Sequence, residues 1–317
     1  MSLYRFIAAE RANHSVSLMC RVLGVSRSGL YAWERRAPCQ RALHDEWLGE
    51  QIRRIHRDSD GTYGSPRVHA QLRREGIRVA RKRVERLMRE RGLEGLPRPR
   101  RRHGTTIRVK GVRPAPDLVG RDFRARRPDQ LWFADIREIP TGEGKLYLAA
   151  VVDCFSRACV GWAMAGHMRG SLVRIALEHA VARRRPEQGL IHHSDRGSQY
   201  TAVAFGARCR RAGIRLSMGK RGCALDNAVC EAFFATMERE LTGRRTFATH
   251  AVARTAIFEW IETFYNRRRL HSTNGHRSPI EYETHMSQPR PIGEVINRFI
   301  RTLNPPNSHE LKKVISS

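Results

Sequence analysis

The sequence lacks any long apolar run. Its most apolar stretch, Leu146 to Val152, is far too short for a membrane helix, which needs about 20 apolar residues. Residues 1–15 have no apolar segment of the length that a secretory signal requires before their charges. We therefore expect a protein that stays in the cytoplasm and has no membrane segment.

The sequence also lacks a cysteine framework. Its 7 cysteines contain no C-x-x-C pair, and an odd number without regular spacing predicts reduced thiols in a reducing compartment. Structural zinc would require Cys and His clustered at ligand spacing, whereas the 14 histidines are scattered. A disulfide scaffold and a structural zinc site are therefore not expected.

Acidic residues are scarce. There are 31 Asp+Glu against 59 Lys+Arg, which gives a net charge of +28 and a pI near 11.2. Residues 1–127 carry 31 basic against 13 acidic side chains, and residues 128–317 carry 28 against 18. A field of this sign attracts polyanions, so nucleic acid is the natural partner. The alternative is a solvated surface in an arginine-rich proteome.

Residues 1–37 predict a helix-turn-helix. An apolar face at helical spacing ends at Leu23, and Gly24 interrupts the period. Ser26 can cap a second helix that begins with Arg27, a residue we expect to contact DNA. An ordinary helical hairpin is the alternative.

Residues 42–96 predict a helical DNA-binding module with three apolar stripes, the last of which ends at Gly92. The third helix surrounds its stripe with basic side chains that could lie on a phosphate backbone or simply face solvent. The expected DNA contacts are Arg81, Lys82, Arg83 and Arg86. Residues 97–116 are rich in Pro and Arg and predict a basic linker.

Residues 117–286 alternate between strand and helix patterns. The predicted elements are strands 131–136, 146–153 and 160–165, helix 172–184, strand 190–193, helix 203–212, strand 214–217 and helix 228–241, the last capped by Asp226 or Asn227. This order is that of the α/β ribonuclease-H-like core, with a mixed five-stranded sheet and helices, here preceded by all-α helix-turn-helix modules. No role is assigned to residues 287–317.

Three carboxylates stand out in this core. Asp135 interrupts an apolar strand, Asp195 directly follows a strand, and Glu231 lies early in the last long helix. An acid within an apolar strand is unfavourable unless it is paired or binds a metal, and carboxylate oxygens suit Mg²⁺. Each also has a purely structural alternative: a strand-end cap or ion pair for Asp135, an Asx turn for Asp195, and the helix dipole for Glu231.

The motifs of residues 115–283 resemble the catalytic domain of OrfB-type transposases of the insertion-sequence-three family, relatives of retroviral integrases. The matching stretches are APDLVGRDF, LWFADI, GKLYLAAVVDCFSR, VGWAM, HHSDRGSQY, DNAVCEAFFATMERE, YNRRRLHS and SPIEYE. Upstream, CRVLGVSRSGLYAW and the segment from YGSPRVHAQL to RVERLMRERGL resemble the family's N-terminal helical modules. The resemblance covers about nine-tenths of the chain.

The resemblance implies that Asp135, Asp195 and Glu231 are the catalytic Asp–Asp–Glu metal ligands, with 35 residues between the last two. It implies two Mg²⁺ ions, for which Mn²⁺ can substitute, and in-line cleavage and joining of DNA without a covalent enzyme intermediate. The implied partners are double-stranded DNA, both element ends and target, and a second copy of the chain. Asp153, His192, His193 and the stretch from Ser198 to Tyr200 also fall within matching motifs.

Two residues depart from the family pattern. Glu238 stands where relatives usually carry Lys, seven residues after the last acid, and Arg137 stands where they usually carry Thr, two residues after the first. Arg239 could take over phosphate contact, although residue i+8 is rotated by roughly 80° from Glu231. The further expected DNA contacts are Lys220, Arg221, Arg239, Arg267 and Arg268.

Two other functions remain open at this point. The chain could be a non-catalytic DNA-binding protein or partner subunit, because members of the family are often made as fusions to an upstream OrfA-type reading frame with its own DNA-binding helices. A metal nuclease acting on RNA–DNA hybrids would share the fold, but the helical modules and the motif set favour the transposase.

Overall fold

The computed structural model describes residues 3–97, 115–120, 122–219 and 227–288. The chain divides into two compact units, residues 1–95 and 96–317, each of which is described by itself. Most of the predicted linker 97–116 and nearly all of the predicted tail 287–317 lie outside the described residues. So do Lys220, Arg221 and Asp226.

The first unit begins with three short helices, α1 (Leu3–Glu10), α2 (Val16–Val22) and α3 (Arg27–Glu34). They pack around Ile7, Cys20 and Leu30, which are all buried. The predicted cap is confirmed, since Ser26 Oγ accepts a hydrogen bond from the Gly29 amide at 2.9 Å. The turn before it needs glycine, because Gly24 has a φ of +67°.

Three longer helices complete this unit: α4 (Gln40–Asp58), α5 (Ser65–Arg74) and α6 (Arg81–Glu90). The predicted apolar stripes are buried, each within its own helix: Leu48, Ile52 and Ile55 in α4, Val68 and Leu72 in α5, and Val84, Leu87 and Met88 in α6. Gly92 adopts φ +64° directly after α6, as expected of a glycine that ends a helix.

The second unit is built on a five-stranded sheet in the order β3-β2-β1-β4-β5. The strands are β1 (Leu131–Thr141), β2 (Gly144–Asp153), β3 (Cys159–Ala165), β4 (Ile191–Ser194) and β5 (Arg215–Met218). The first three pair antiparallel, as predicted, whereas β4 pairs parallel to β1 and β5 parallel to β4. The sheet is therefore mixed, and β1 is its central strand.

Helices cover both faces of the sheet. They are α7 (Gly170–Arg184), α8 (Ser198–Thr201), α9 (Val203–Arg211), α10 (Ala228–Met237), α11 (His250–Glu259) and α12 (Pro279–Ser287). One apolar core joins the sheet to α10 and α11, and a second joins its other face to α7 and α9. The helix predicted as 228–241 is α-helical to Met237 and then widens into a π-helical turn, Glu238–Thr242.

Asp153 has a structural role. Its side chain is fully buried at the end of β2, where Oδ1 accepts bonds from the backbone and hydroxyl of Ser156 and Oδ2 accepts one from the Asp129 amide. Burial raises the pKa of this carboxyl to about 6.

Among the described residues, no helix combines the length and apolarity that crossing a bilayer requires.

Candidate active site

Asp135 and Asp195 lie near the ends of a pair of neighbouring strands. The parallel register pairs Phe133 of β1 with His193 of β4, and each aspartate follows two residues later in the chain, Asp135 within β1 and Asp195 directly after the end of β4. The Ile136 amide donates to Asp135 Oδ1 at 2.8 Å, and the Gly197 amide donates to Asp195 Oδ1 at 3.0 Å. In each case, a backbone amide that follows the aspartate in the chain orients its carboxylate.

Glu231 lies in the first turn of α10, on the face of the sheet that carries Phe133. Asn227 precedes this helix but does not cap it with its side chain, which corrects one of the two predicted caps. Its Nδ2 instead donates to the carbonyl of Ala134 at 3.1 Å. This bond ties the start of α10 to β1 beside Asp135. The sequence indicates that a helix begins near Asn227, but it does not indicate that the Asn227 side chain bonds to Ala134.

The charges of the other two acids act on Asp135. Burial, together with the negative charges of Asp195 and Glu231, raises the pKa of Asp135 to about 7. Partial desolvation also raises the pKa of Glu231, although much of this side chain is exposed. A buried acid held next to two others is the arrangement that a cation stabilises, because the cation neutralises the mutual repulsion.

The donor set fits a hard divalent cation only in part. Within the described ranges, no group of three or more His, Cys, Asp or Glu side chains is arranged to hold a metal ion. Asp135 and Asp195 supply oxygen donors side by side, and among the described residues neither Oδ2 accepts a hydrogen bond. Glu231 is close enough to affect Asp135 electrostatically. Two aspartates and waters would suffice for Mg²⁺, which usually takes one or two carboxylates.

The histidines of the HHSDRGSQY motif are buried rather than open to solvent. His193 packs on Phe133 with ring centroids 5.2 Å apart, and its Nδ1 lies 2.9 Å from Ser217 Oγ. His192 packs against Phe205 at 5.3 Å, and burial lowers its pKa to about 4. Approach of either ring to DNA would therefore require the core to open. Gln199 Nε2 donates to the Met168 carbonyl at 3.0 Å.

The two departures from the family pattern contact each other. Arg137 Nη2 donates to Glu238 Oε2 at 2.7 Å, with 46% and 59% of the respective side chains exposed. Arg137 lies two residues after Asp135 on β1, and its positive charge acts to lower the pKa of that aspartate. Arg239, the expected substitute cation, is half-buried and donates to the Ala235 carbonyl at 3.3 Å.

The expected DNA contacts of the first unit fall into two sets. Arg27, Arg81 and Lys82 are exposed. Arg83 and Arg86 instead share Asp45 of α4, with Arg83 Nε 2.7 Å from Oδ1 and Arg86 Nη2 2.8 Å from Oδ2. These two hydrogen-bonded guanidiniums hold the pKa of Asp45 below its usual range.

The basic run after Tyr265 also divides. Arg267 and Arg268 are exposed, as their expected role requires. Arg269 is buried and forms a two-pronged ion pair with the buried Glu240 of the π-helical turn, with N–O distances of 2.8 and 2.7 Å. No pattern in the sequence separates the third arginine of this run from the other two.

Models of known families match much of the chain. Models described as an integrase core domain match residues 125–223 and 212–279, and an HTH-like domain matches residues 43–102. The transposase for insertion sequence element IS629 of Shigella sonnei is 38% identical over 86% of this chain and 93% of its own length. The chain belongs to the transposases of the insertion-sequence-three family. In this transposase the HTH-like match falls on α4 to α6, and the integrase-core matches contain all three acids.

Further relatives have similar coverage. Transposase InsF for insertion sequence IS3A of Escherichia coli is 37% identical over 88% of the transposase and 98% of InsF, and the IS904 transposase of Lactococcus lactis is 37% identical over 80% and 99%. Among solved structures, a simian T-cell lymphotropic virus intasome chain is 15% identical over 75% of both chains with a TM-score of 0.43. The HTLV-2 integrase catalytic core domain in complex with magnesium is 16% identical over 50% and 99%, with a TM-score of 0.39.

Proposed function

We propose that this transposase is a metal-dependent DNA strand transferase whose catalytic residues are Asp135, Asp195 and Glu231. The observation that carries the proposal is that Asp135 and Asp195 each follow the paired residues Phe133 and His193 of adjacent strands by two positions, with the charges of Asp195 and Glu231 both raising the pKa of Asp135. Such an acid cluster destabilises a protein unless a ligand neutralises it, which favours a functional origin.

Asp135 and Asp195 would hold the divalent cations, two Mg²⁺ ions or Mn²⁺ in their place, and Glu231 would complete the set from α10. When bound, the metals activate the attacking oxygen and stabilise the leaving oxygen of a phosphodiester. The Gly197 amide keeps Asp195 oriented, and Asn227 holds the start of α10 against β1.

The reaction proposed has two phosphoryl transfers. In the first, a water oxygen bonds to phosphorus at the element end and the P–O3′ bond breaks, so that O3′ leaves as a hydroxyl. In the second, that 3′-OH bonds to a phosphorus of target DNA and displaces another O3′. Both transfers are in line and need no covalent enzyme intermediate, so no Ser or Tyr nucleophile is required.

Double-stranded DNA is the proposed partner of both units. The exposed Arg27, Arg81 and Lys82 supply cations in the first, and Arg267 and Arg268 in the second. Two element ends must be brought together, so we propose a homo-oligomer that works on the bacterial nucleoid in the cytoplasm. The rival proposal is that this chain acts only as a partner of, or fused to, an OrfA-type protein.

The decisive experiment measures cleavage and joining of labelled element-end DNA with Mg²⁺. Wild type is compared with Glu231→Gln, and with Glu259→Gln as the matched control, because Glu259 is an exposed acid on α11. We expect Glu231→Gln to lose at least 100-fold in rate while keeping DNA affinity, and Glu259→Gln to retain activity.

The outcomes separate the two proposals. Equal activity of wild type and Glu231→Gln would reject Glu231 as a catalytic residue. Firm DNA binding without cleavage by wild type would favour the partner-subunit alternative. That alternative is then tested by adding the product of the upstream reading frame, which should restore cleavage to wild type and not to Glu231→Gln.

A further inference from the structure

Tyr200 is a buried phenol without a hydrogen-bond partner among the described residues. Only 3% of the residue is exposed, and its hydroxyl is one of the buried polar atoms that none of the described groups satisfies. A buried hydroxyl without a partner is unfavourable, and phenylalanine would fill the same ring space without it. The position therefore retains a polar atom that packing alone does not require.

The chain connects this ring closely to Asp195. The Tyr200 amide donates to the Gly197 carbonyl at 3.1 Å, and the Gly197 amide donates to Asp195 Oδ1. The ring itself is fixed by an edge-to-face contact with Phe205, with centroids 5.5 Å apart. The short loop from Asp195 to Tyr200 thus connects the carboxylate to the residue that carries the phenol.

The negative charges of Asp135 and Asp195 act on the Tyr200 hydroxyl. Besides burial, the negative charges of Asp135 and Asp195 raise the pKa of Tyr200 well above its ordinary value of 10. The hydroxyl is therefore protonated at every pH at which the protein works. A protonated phenol is a hydrogen-bond donor, and carboxylates are among the strongest acceptors that a protein can offer it.

We propose that Tyr200 is a positioning residue whose buried hydroxyl donates a hydrogen bond to the carboxylate pair of Asp135 and Asp195 when that pair holds a divalent cation. The inference rests on the proposed function, because it assumes that the two aspartates bind metal. The donor would fix one carboxylate oxygen so that the others face the cation, as outer-layer partners of metal ligands do.

His192 is the competing partner for the hydroxyl. Its ring lies 6.0 Å from that of Tyr200, and both ring nitrogens are also without a partner among the described residues. A hydroxyl that serves His192, directly or through a water, would stabilise the fold whether or not metal is present. The two arrangements therefore differ in whether loss of the hydroxyl changes metal affinity.

The test uses Mn²⁺ as the probe, with binding followed by the electron paramagnetic resonance signal of free Mn²⁺ and by the metal-induced shift in Tm. The proteins are full-length wild type, Tyr200→Phe, and Asp195→Asn as the reference for a lost ligand. We expect Tyr200→Phe to keep the metal-free Tm within a few degrees and to bind Mn²⁺ 10- to 100-fold more weakly. A second variant, Tyr200→4-fluorophenylalanine, fills the space of the hydroxyl without a donor and should behave like Tyr200→Phe.

The two levels of inference fail differently. Identical Mn²⁺ binding by wild type and Asp195→Asn would overturn the proposed metal site, and the Tyr200 proposal with it. Loss of binding in Asp195→Asn together with wild-type affinity in the two Tyr200 variants would overturn the Tyr200 proposal alone. If Tyr200→Phe does not fold, the fluorinated variant decides: weakened binding supports the hydrogen bond, and unchanged binding rejects it.

Discussion

Arg137 donates from Nη2 to Glu238 Oε2 across 2.7 Å and so links β1, which carries Asp135, to the helix that carries Glu231. These are the two positions at which the motifs indicated a departure from the family pattern, and their charges neutralise each other. Because both side chains are about half exposed, the pair adds little to stability.

We expect Glu238→Gln to raise affinity for element-end DNA about 3- to 10-fold and to steepen its dependence on salt. The substitution frees Arg137 to contact a phosphate, and each additional phosphate contact adds roughly 0.9 to the slope of log K against log salt concentration. Fluorescence anisotropy at several salt concentrations measures both quantities.

Glu138→Gln is the control for Glu238→Gln. It removes the same charge from the residue that directly follows Arg137 on β1. Glu138 is 46% exposed and pairs with Lys145 rather than with Arg137. In alternating strand geometry its side chain points to the opposite face of the sheet. An equal gain in affinity for both variants would mean that only net charge matters, and that Arg137 has no special contact.

Asp135→Asn should make the protein more stable at pH 8 and leave it unchanged at pH 3.5. The pKa of Asp135 is raised to about 7, above the ordinary 3.8, so the folded state holds a proton that the unfolded state loses. Wild-type stability therefore falls as pH rises from about 4 to 7, by roughly 4 kcal/mol in total, and asparagine removes this fall. Urea unfolding in EDTA across this range measures the difference.

Asp122→Asn provides the matched comparison, because 73% of that aspartate side chain is exposed. It controls for the loss of one negative charge at an exposed position. Parallel curves for Asp135→Asn and wild type would contradict the burial and repulsion that raise the pKa of Asp135.

Gly161→Ala should lower the free energy of unfolding by about 3 kcal/mol or more. A Cβ at Gly161 would lie 2.4 Å from the Ala176 carbonyl oxygen and 2.5 Å from the Ala180 amide nitrogen, and these backbone atoms of α7 cannot move aside. Gly166→Ala is the control, since its Cβ would meet only His250 Cε1 at 3.6 Å. Denaturant unfolding that finds the two variants alike would show that β3 and α7 are less tightly packed than described.

Arg269→Met and Arg267→Ala should affect different properties of the protein. Arg269→Met leaves the buried Glu240 carboxylate without its arginine and should cost roughly 3–5 kcal/mol of stability. Much of that loss should return in the double variant Glu240→Met, Arg269→Met. Arg267→Ala should leave unfolding unchanged and weaken DNA binding, which calorimetry and anisotropy on the same samples distinguish.

A similar division is expected in α6. Arg81→Ala and Lys82→Ala should weaken DNA binding with little change in Tm, because both side chains are exposed. Arg83→Ala should lower Tm, since it breaks the ion pair with Asp45 that joins α6 to α4. If Arg83→Ala proves as stable as Arg81→Ala and loses more DNA affinity, the result would mean that Arg83 leaves Asp45 and contacts DNA in solution.

Much of the fold was predictable because it follows from local patterns. The strand around Phe133, the apolar stripe of α4 and the cap at Ser26 depend on neighbours within a few residues, and the structure confirms each of them. The family resemblance then identified three acids far apart in the chain. The roles of Asn227 and Arg269 escaped prediction, because their partners Ala134 and Glu240 are 93 and 29 residues away.

The sequence by itself determined the order of helices and strands, the excess of positive charge, and the three acids that motif spacing singles out. Only the tertiary structure decided which arginines stay exposed and that Arg137 meets Glu238. It also decided that Asp135 and Asp195 follow a paired position of neighbouring strands, and that the Tyr200 hydroxyl is buried. The reason is physical: periodicity and capping depend on neighbours along the chain, whereas pairing of charges and burial of a hydroxyl depend on which distant segments the fold brings into contact.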